Sequence, residues 1–582
     1  MDIAKMEAKE INNVEEKSID TGLNDEAQNY INYFVESAKE SENAEKTMPL
    51  LEGIKRYPKA TFWSFVLSLC IVMEGYDTNL LNSFYGFEAF QKKFGTFYPE
   101  KDGGIWEIPA HWQTTLSMCV NVGEFVGLFI AGLVSDRIGY RWTLIGSLML
   151  VIGFIFILFF STSLGMIAAG EILLGLPWGA FQTLTVTYAS EVCPLVLRVY
   201  LTTWVNLCWV LGQLISSCML KGFSGNKHPI AYQIPWAVQW VWPLPIAIGI
   251  YLAPESPWWL VKKGKFKEAK HSMERLLTHT EGMPDNSLVA QQMVNKIELT
   301  LKQREAEENS SSASYLDCFK NGNWRRTRIG ALTWLAQNIC GSSLMGYSTY
   351  FLIQAGMSDS NSFTFTIIQY VFGLCGTLGS WFLSKRAGRF TIYFYGLCVL
   401  AVIMIIVGIL GVVVDATGSN KPSWGVGAML LLFTFTYDLT VGPLCYCIVT
   451  EIPTSSLRTK SVVISRNVYN VAGIIIAVIM PYMLNPTAWN WKAKTGFFWA
   501  GFCIASAVWC WFDLPETKGR TFAELDVLFA QGVKSRKFRT TPVEIFNTDE
   551  LIGKFGSDGV KAIAQHVEVT DEEEMMHPID KE

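Results

Sequence analysis

The sequence predicts an all-α membrane protein, with twelve transmembrane helices in two pseudo-symmetric six-helix halves. Three observations predict it. Apolar runs of about 20 residues, the length that crosses a bilayer, recur along most of the chain. Basic residues gather in alternate loops, and three local motifs repeat at offsets of about 250–260 residues. The 582 residues are 50% hydrophobic and 17% charged, which argues against several soluble domains.

Taken in order, the first span opens with "FWSFVLSLCIVMEGYDTNLL" (62–81), and the plainest spans are "LIGSLMLVIGFIFILFFSTSL" (144–164) and "IYFYGLCVLAVIMIIVGILGVVV" (392–414). The twelve lie at about 60–84, 113–134, 141–162, 165–188, 200–220, 235–253, 327–352, 362–384, 389–413, 424–449, 461–484 and 494–513. They divide the chain into a largely disordered tail (1–59), a first half (60–253), a middle loop with short helices (254–326), a second half (327–513) and a second tail (514–582). The middle loop shows helical character in "KFKEAKHSMERLL".

Orientation follows from the loops. Arg137 and Arg141 sit between spans two and three, Lys385, Arg386 and Arg389 between eight and nine, and Lys262, Lys263, Lys265, Arg325 and Arg326 in the middle loop. Alternating spans put all of these on one side, which the positive-inside rule makes cytoplasmic, with both tails. The N-terminus has no apolar core behind a basic start, so no cleavable signal peptide is expected. Net charge is −5, but the tails hold much of the acid.

The 13 cysteines show no CxxC pair or zinc spacing and are read as small apolar side chains. No metal or other cofactor is predicted, and no nucleic-acid partner. A Walker loop, a GxGxxG after a strand, HExxH and a nucleophile elbow are all missing from the sequence, which argues against an enzyme and an ATP-driven pump.

The repeat is specific. "SDRIGYR" (135–141) is echoed by "SKRAGRF" (384–390), Glu191 and Arg198 by Glu451 and Arg458, and "PES" (254–256) by "PET" (515–517). Two homologous halves around a midplane site are the architecture of secondary transporters.

Those motifs, with "GLVSDRIGYRW", "PESPWWL", "LPETKGRTF", "VMEGYDT", "PWGAFQTLTVTYASEVCPLVLR", "PWAVQWVWP", "MGYSTYF" and "WNWKAKTGFFW", carry a resemblance. The chain resembles the sugar-porter branch of the major facilitator superfamily, and within it the fungal maltose/α-glucoside permeases, proton symporters of the plasma membrane. The resemblance covers about residues 50–535 and implies the major facilitator fold, with sugar and H+ as partners in a lipid bilayer. It further implies alternating-access import of α-glucosides, maltose foremost. A sugar receptor that does not transport, and a carrier for a different sugar, are the competing readings. Tails of about 50 and 70 residues are shorter than a receptor's signalling tails. Lys9 and Lys17 offer ubiquitin sites for endocytosis.

In the first span, "VMEGYDTNLL" (72–81) carries Glu74 and Asp77, spaced to share a helix face with Thr78 and Asn82. Carboxylates at this depth are costly unless they pair, face a cavity or become neutral. Two close together in low dielectric cannot both stay ionised, which suits a proton carrier. In the family the Asp of this motif couples the proton, which carries over to Asp77. Glu124 and Glu171 also fall in spans, against one clear intramembrane base, Arg466 in "VVISRNVYN". The fungal permeases match at Glu74, Asp77, Glu124 and Arg466, where these charges are implicated in coupling. Many sugar porters have Arg where Glu171 stands, so their Asp–Arg switch does not transfer. Near the start of span four, Glu171 is read either as a coupling acid or as a carboxylate that caps a helix or faces the cytoplasm; Asp438 is similarly open.

Sugar binding calls for amides, hydroxyls and aromatic rings. Asn206 and Gln213 are seven apart in span five, hence on one face. The resemblance places Gln337 and Asn338 at a sugar-binding amide pair and Tyr446 at an aromatic set against the sugar. Tyr347 and Tyr350 follow in span seven, and Asn470 lies one turn after Arg466. For each, the competing reading is helix-to-helix contact. Asp136, Arg137, Arg141, Glu191 and Arg198, with their counterparts Arg386, Arg389, Glu451 and Arg458 and the helix-end Glu255 and Glu516, are expected to form a cytoplasmic gate of ion pairs. Pairs made in one state and broken in another give the bistable element that alternating access needs.

Overall fold

The structure is a computed structural model that describes residues 36–543, apart from 99–104, 224–227, 229, 279–284, 309–313, 350–351, 353–358, 418–420, 485–488 and 490. Nine helices among the described residues are long and apolar enough to cross a membrane. They are spans two to five (His111–Ile138, Tyr140–Phe159, Leu164–Glu191, Leu195–Phe223) and eight to twelve (Asn361–Arg386, Arg389–Val414, Trp424–Glu451, Arg458–Leu484, Lys492–Asp513). Three further helical stretches occupy the positions of spans one, six and seven: Pro58–Phe84, Ile230–Leu252 with an interruption, and Asn321–Ile339.

The motif repeat is also a repeat of packing. Span one packs on five, two on four, and three on four and six; seven packs on eleven, eight on ten, and nine on ten and twelve. The halves meet where two lies on eleven and five on eight. Spans one and five approach through small residues: a Cβ on Gly75 would run into the backbone of Trp209, and one on Gly212 into that of Val72 and Tyr76. Close backbone approach through glycine is how helices associate where lipid offers no hydrophobic drive. Large apolar side chains such as Val402, Ile409 and Phe512 stay exposed on the outward faces, as a hydrocarbon solvent permits.

Three spans predicted as continuous are broken. Span six is Ile230–Val238, a 3-10 turn at Gln239–Val241, then Pro243–Leu252; Pro243 has no N–H to continue the ladder. Span seven stops at Ile339, passes Gly341 at φ 97° and resumes as the short turn Ser343–Gly346. Span ten breaks at Thr440 (φ −127°, ψ −83°) between Lys421–Leu439 and Val441–Glu451, just before Pro443. The connection between spans one and two holds the helix Glu88–Phe94 and an antiparallel hairpin, Thr96–Tyr98 with Ile105–Glu107, which hydropathy did not announce.

On the face that bears the basic loops, the middle segment folds as Pro257–Lys262, Phe266–Leu276 and Asn286–Glu308. The described part of the first tail, residues 36–59 of the stretch predicted as largely disordered over 1–59, is ordered. Residues 36–47 are helical and Leu50–Arg56 follows. The 36–47 helix is held by charge. Lys296 Nζ pairs with Glu45, the Leu195 N–H donates to Glu45 Oε1 at 2.6 Å, Thr521 Oγ1 donates to Glu42, and Lys46 pairs with Glu524 at 3.1 Å. It therefore touches the start of span five, the middle segment and the second tail's helix Phe522–Ala530. Lys9 and Lys17 lie outside the described residues.

Candidate functional site

A cavity of about 240 Å³ lies between the halves. Its wall contains a cross-half ion pair: Arg466 Nε of span eleven donates to Glu124 Oε1 of span two at 3.0 Å. The guanidinium lies 4.0 Å from the Tyr469 ring centroid and 4.6 Å from that of Trp334. Two ring faces and one carboxylate thus share a buried cation.

The other acids stand behind this wall. Gln182 Nε2 of span four donates to Glu74 Oε1 at 2.9 Å, and Gln239 Nε2, from the break in span six, donates to Asp77 Oδ1 at 2.7 Å. Thr78 and Asn82 border the cavity while Glu74 and Asp77 do not. This corrects the predicted common face. At 100° per residue Asp77 and Thr78 diverge by that angle, so Thr78 faces the cavity when Asp77 faces span six. Glu171 is fully buried, with neither carboxylate oxygen bonded among the described residues. It neither caps a helix nor faces the basic loops: Ser163 accepts from the Met166 N–H at the N-cap of span four. Glu171 and Asp77 lie within electrostatic reach of each other.

Most predicted sugar ligands meet at the cavity: Asn206, Gln213, Gln337, Asn338, Tyr347 and Tyr446 all border it. Gln337 Nε2 donates to the Gly442 carbonyl at 3.0 Å beside the span-ten break, and Asn338 Nδ2 to the Tyr469 carbonyl at 2.9 Å. Tyr446 meets the Trp334 ring edge-on at 5.0 Å. Asn470 is a correction. It is fully buried and does not border the cavity: the cavity face of span eleven runs through Arg466, Tyr469 and Gly473, and Asn470 is turned about 40° from Arg466 on the side away from Tyr469, into the helix packing. Tyr350 lies outside the described residues. Cavity residues not predicted include Asn79, Asn121, Trp209 and Tyr370, and Asp438, left open in the sequence, also borders the cavity. Asn121 stands three before Glu124, a spacing readable in sequence. Tyr370, whose hydroxyl donates to Asn79 Oδ1 across the halves at 2.8 Å, carries no such signal.

At the basic-loop face the gate residues take two roles. Ties between halves run from Arg458 Nη1 to Glu191 Oε1 at 3.3 Å, from Lys460 to Asp136, and between the Tyr140 and Thr459 hydroxyls at 3.1 Å. Arg389 pairs with Glu451 inside the second half at 3.2 Å. Glu255 and Glu516 are corrections, since they cap helices rather than pair across the gate. Glu255 accepts the Tyr140 and Arg141 N–H groups, both at 3.1 Å, and Glu516 accepts the Arg389 N–H at 2.8 Å. Burial pushes the Glu255 carboxyl up, against the pull of those N–H donors. Arg141 reaches the Ala253 carbonyl. Arg198 turns to Glu45 at 3.7 Å and stacks 3.6 Å from the Phe522 ring, which Arg458 covers at 3.7 Å. Arg137 and Arg386 are exposed and form no ion pair among the described residues; each is the third residue of the repeated loop motif and points to solvent.

Comparison with known proteins gives a consistent result. The family profile described as "Sugar (and other) transporter" matches residues 63–529. The maltose permease MAL61 of Saccharomyces cerevisiae is 46% identical over 527 residues, spanning 90% of this chain and 84% of the permease. The general alpha-glucoside permease of the same species is 47% identical over 513 residues, spanning 88% and 82%. The solved structure of the proton:xylose symporter XylE bound to 6-bromo-6-deoxy-D-glucose aligns with a TM-score of 0.68 at 20% identity, covering 81% of this chain and 100% of that one. That likeness is one of fold.

Proposed function

The chain belongs to the sugar transporter family, and from that premise we propose that it imports α-glucosides, maltose foremost, together with protons across the plasma membrane. It is a multi-pass membrane transporter of the major facilitator fold and not an enzyme. The carrying observation is the Glu124–Arg466 pair, which joins the halves in the wall of a cavity lined by amides and tyrosines.

In this reading the basic loops and both tails are cytoplasmic, so the ties at Glu191, Asp136 and Tyr140 close the inner side and the cavity serves the outer one. A proton that reaches Glu124 cancels one member of the cross-half pair. Glu74, Asp77 and Glu171, buried behind it, are the further acids through which the proton's charge is handled. Sugar bound to Asn206, Gln213, Gln337, Asn338, Tyr347 and Tyr446 bridges the halves as the pair loosens, and the gate then opens inward. Movement between states follows from the difference in affinity that sugar and proton have for each. Lysines of the tails, Lys9 and Lys17 among them, serve as ubiquitin sites for removal from the membrane.

The test is extracellular pH. Unbuffered, energised cells lacking other α-glucoside carriers and expressing this chain are given maltose. Alkalinisation of the medium that disappears in Asp77→Asn is the expected result. Labelled maltose entering without alkalinisation overturns coupling, and no uptake of maltose, trehalose or sucrose overturns the substrate class.

A further inference from the structure

One carboxylate of the second half borders the cavity outside the acid–base network above. Asp438 of span ten is 4% exposed and pairs with no cation among the described residues. Asn206 Nδ2, from span five in the other half, donates to Asp438 Oδ1 at 3.0 Å and reaches Thr377 Oγ1 of span eight at 3.3 Å. The surrounding helices are shaped around the group. A Cβ on Gly373 of span eight would stand 2.6 Å from Asp438 Oδ2, and one on Gly376 would stand 3.2 Å from Asp438 Cβ. Only glycine leaves that space. The second oxygen, Oδ2, accepts from no donor among the described residues.

A buried carboxylate without a cation, in a polar cavity, is built to accept. Its free lone pairs suit hydroxyl donors, and charge-assisted O–H···O bonds are short and strong. Arg466 and Glu124 border the same cavity, so a sugar there meets an acceptor group as well as amide donors. We propose that Asp438 accepts hydroxyl hydrogen bonds from a glucosyl unit and is a specificity-determining residue of the sugar site. Its bond to Asn206 then makes sugar occupancy felt in both halves.

This rests on the sugar-transport reading, and the experiment separates the two. Uptake kinetics of maltose and of monodeoxymaltoses are measured in wild type, Asp438→Asn and Gly373→Ala, normalised to protein at the cell surface. Asp438→Asn is expected to raise KM for maltose about tenfold or more, the size of one charge-assisted bond, with protons taken up per maltose unchanged. Removing the recognised hydroxyl from maltose raises KM in wild type, and that penalty disappears in Asp438→Asn. Gly373→Ala keeps every polar group but crowds Oδ2, and raises KM in the same direction; it decides the matter if Asp438→Asn fails to reach the surface. An unchanged KM in either delivered variant, or a lost proton ratio at constant KM, overturns the proposal. Absence of any α-glucoside uptake by the wild type overturns the transport reading instead.

Discussion

At the scale of single residues, the buried charges divide by what they touch. Among the described residues Arg466 bonds one acid, Glu124, and covers two rings, with Glu74 in electrostatic reach, so removing either bonded partner leaves the other poorly compensated in low dielectric. Breaking a buried pair costs about 3–5 kcal/mol, much of it the stranded charge. Arg466→Gln and Glu124→Gln are each expected to lower thermal stability of the purified protein, while the double variant loses clearly less than the two losses added. Additive losses would mean that the two groups do not act as a pair. Sequence alone found both members because each is charged within an apolar run. It did not pair them, since the partners are 342 positions apart and only the packing of span two on eleven joins them. The same limit explains Asp438 and Tyr370: a fraction of a turn of helix rotation decides between cavity and packing, and hydropathy does not fix rotation. Asn470 failed for that reason, and Thr78 with Asn82 would have been the better cavity choices in span one.

At the scale of elements, helix order was legible, and for nine spans among the described residues length and apolarity decide it, but the breaks at Gln239–Val241, Gly341 and Thr440 were not. A break costs backbone hydrogen bonds that only neighbours inside the protein can replace, and neighbours are a tertiary fact. The 36–47 helix escaped for the opposite reason: "ESAKESENAEK" has the composition of a solvated segment, yet Lys296 and Arg198 bury its acids. Burial raises the Glu45 carboxyl, but Lys296 and Arg198 outweigh it and hold Glu45 below the usual carboxylate range. Burial also depresses the Lys296 ammonium, and Glu45 with Glu42 brings it above its ordinary value. Glu45's contribution is therefore complete above the free carboxylate value of about 4.3 and fades as pH falls through its lower folded value. That of Lys296 is complete below about 10.4 and fades only as pH rises through its higher one. Docking of the tail should thus hold across pH 5–9 and fail at neutral pH in Glu45→Gln or Lys296→Gln. Limited proteolysis between residues 36 and 57 of the purified protein reads this out. Equal resistance of wild type and both variants would remove the charges as the cause.

At the scale of the whole molecule, two nearly equivalent halves are tied unequally at the basic-loop face. Arg458 crosses to Glu191, whereas its repeat counterpart Arg198 does not cross to Glu451; Arg389 occupies Glu451 and the tail's Glu45 takes Arg198. Closure of this face therefore depends more on Arg458 than the motif repeat suggests, and only the assembled halves reveal the asymmetry. Native cysteines report on it. Cys447 is fully buried beneath the gate, its Sγ donating to Glu451 Oε1 at 3.3 Å, so it reacts with a polar alkylating agent only when the face opens. Removing the Arg458 tie by Arg458→Ala shifts the closed–open balance. Each 1.4 kcal/mol lost from the closed state raises the open fraction tenfold while that fraction is small. Cys447 alkylation, followed by peptide mass spectrometry and compared with wild type, is expected to quicken about tenfold or more. Arg389→Ala, which breaks a tie within one half, should speed it far less. Equal acceleration by both would mean that the gate opens by local loosening around Glu451 rather than by separation of the halves.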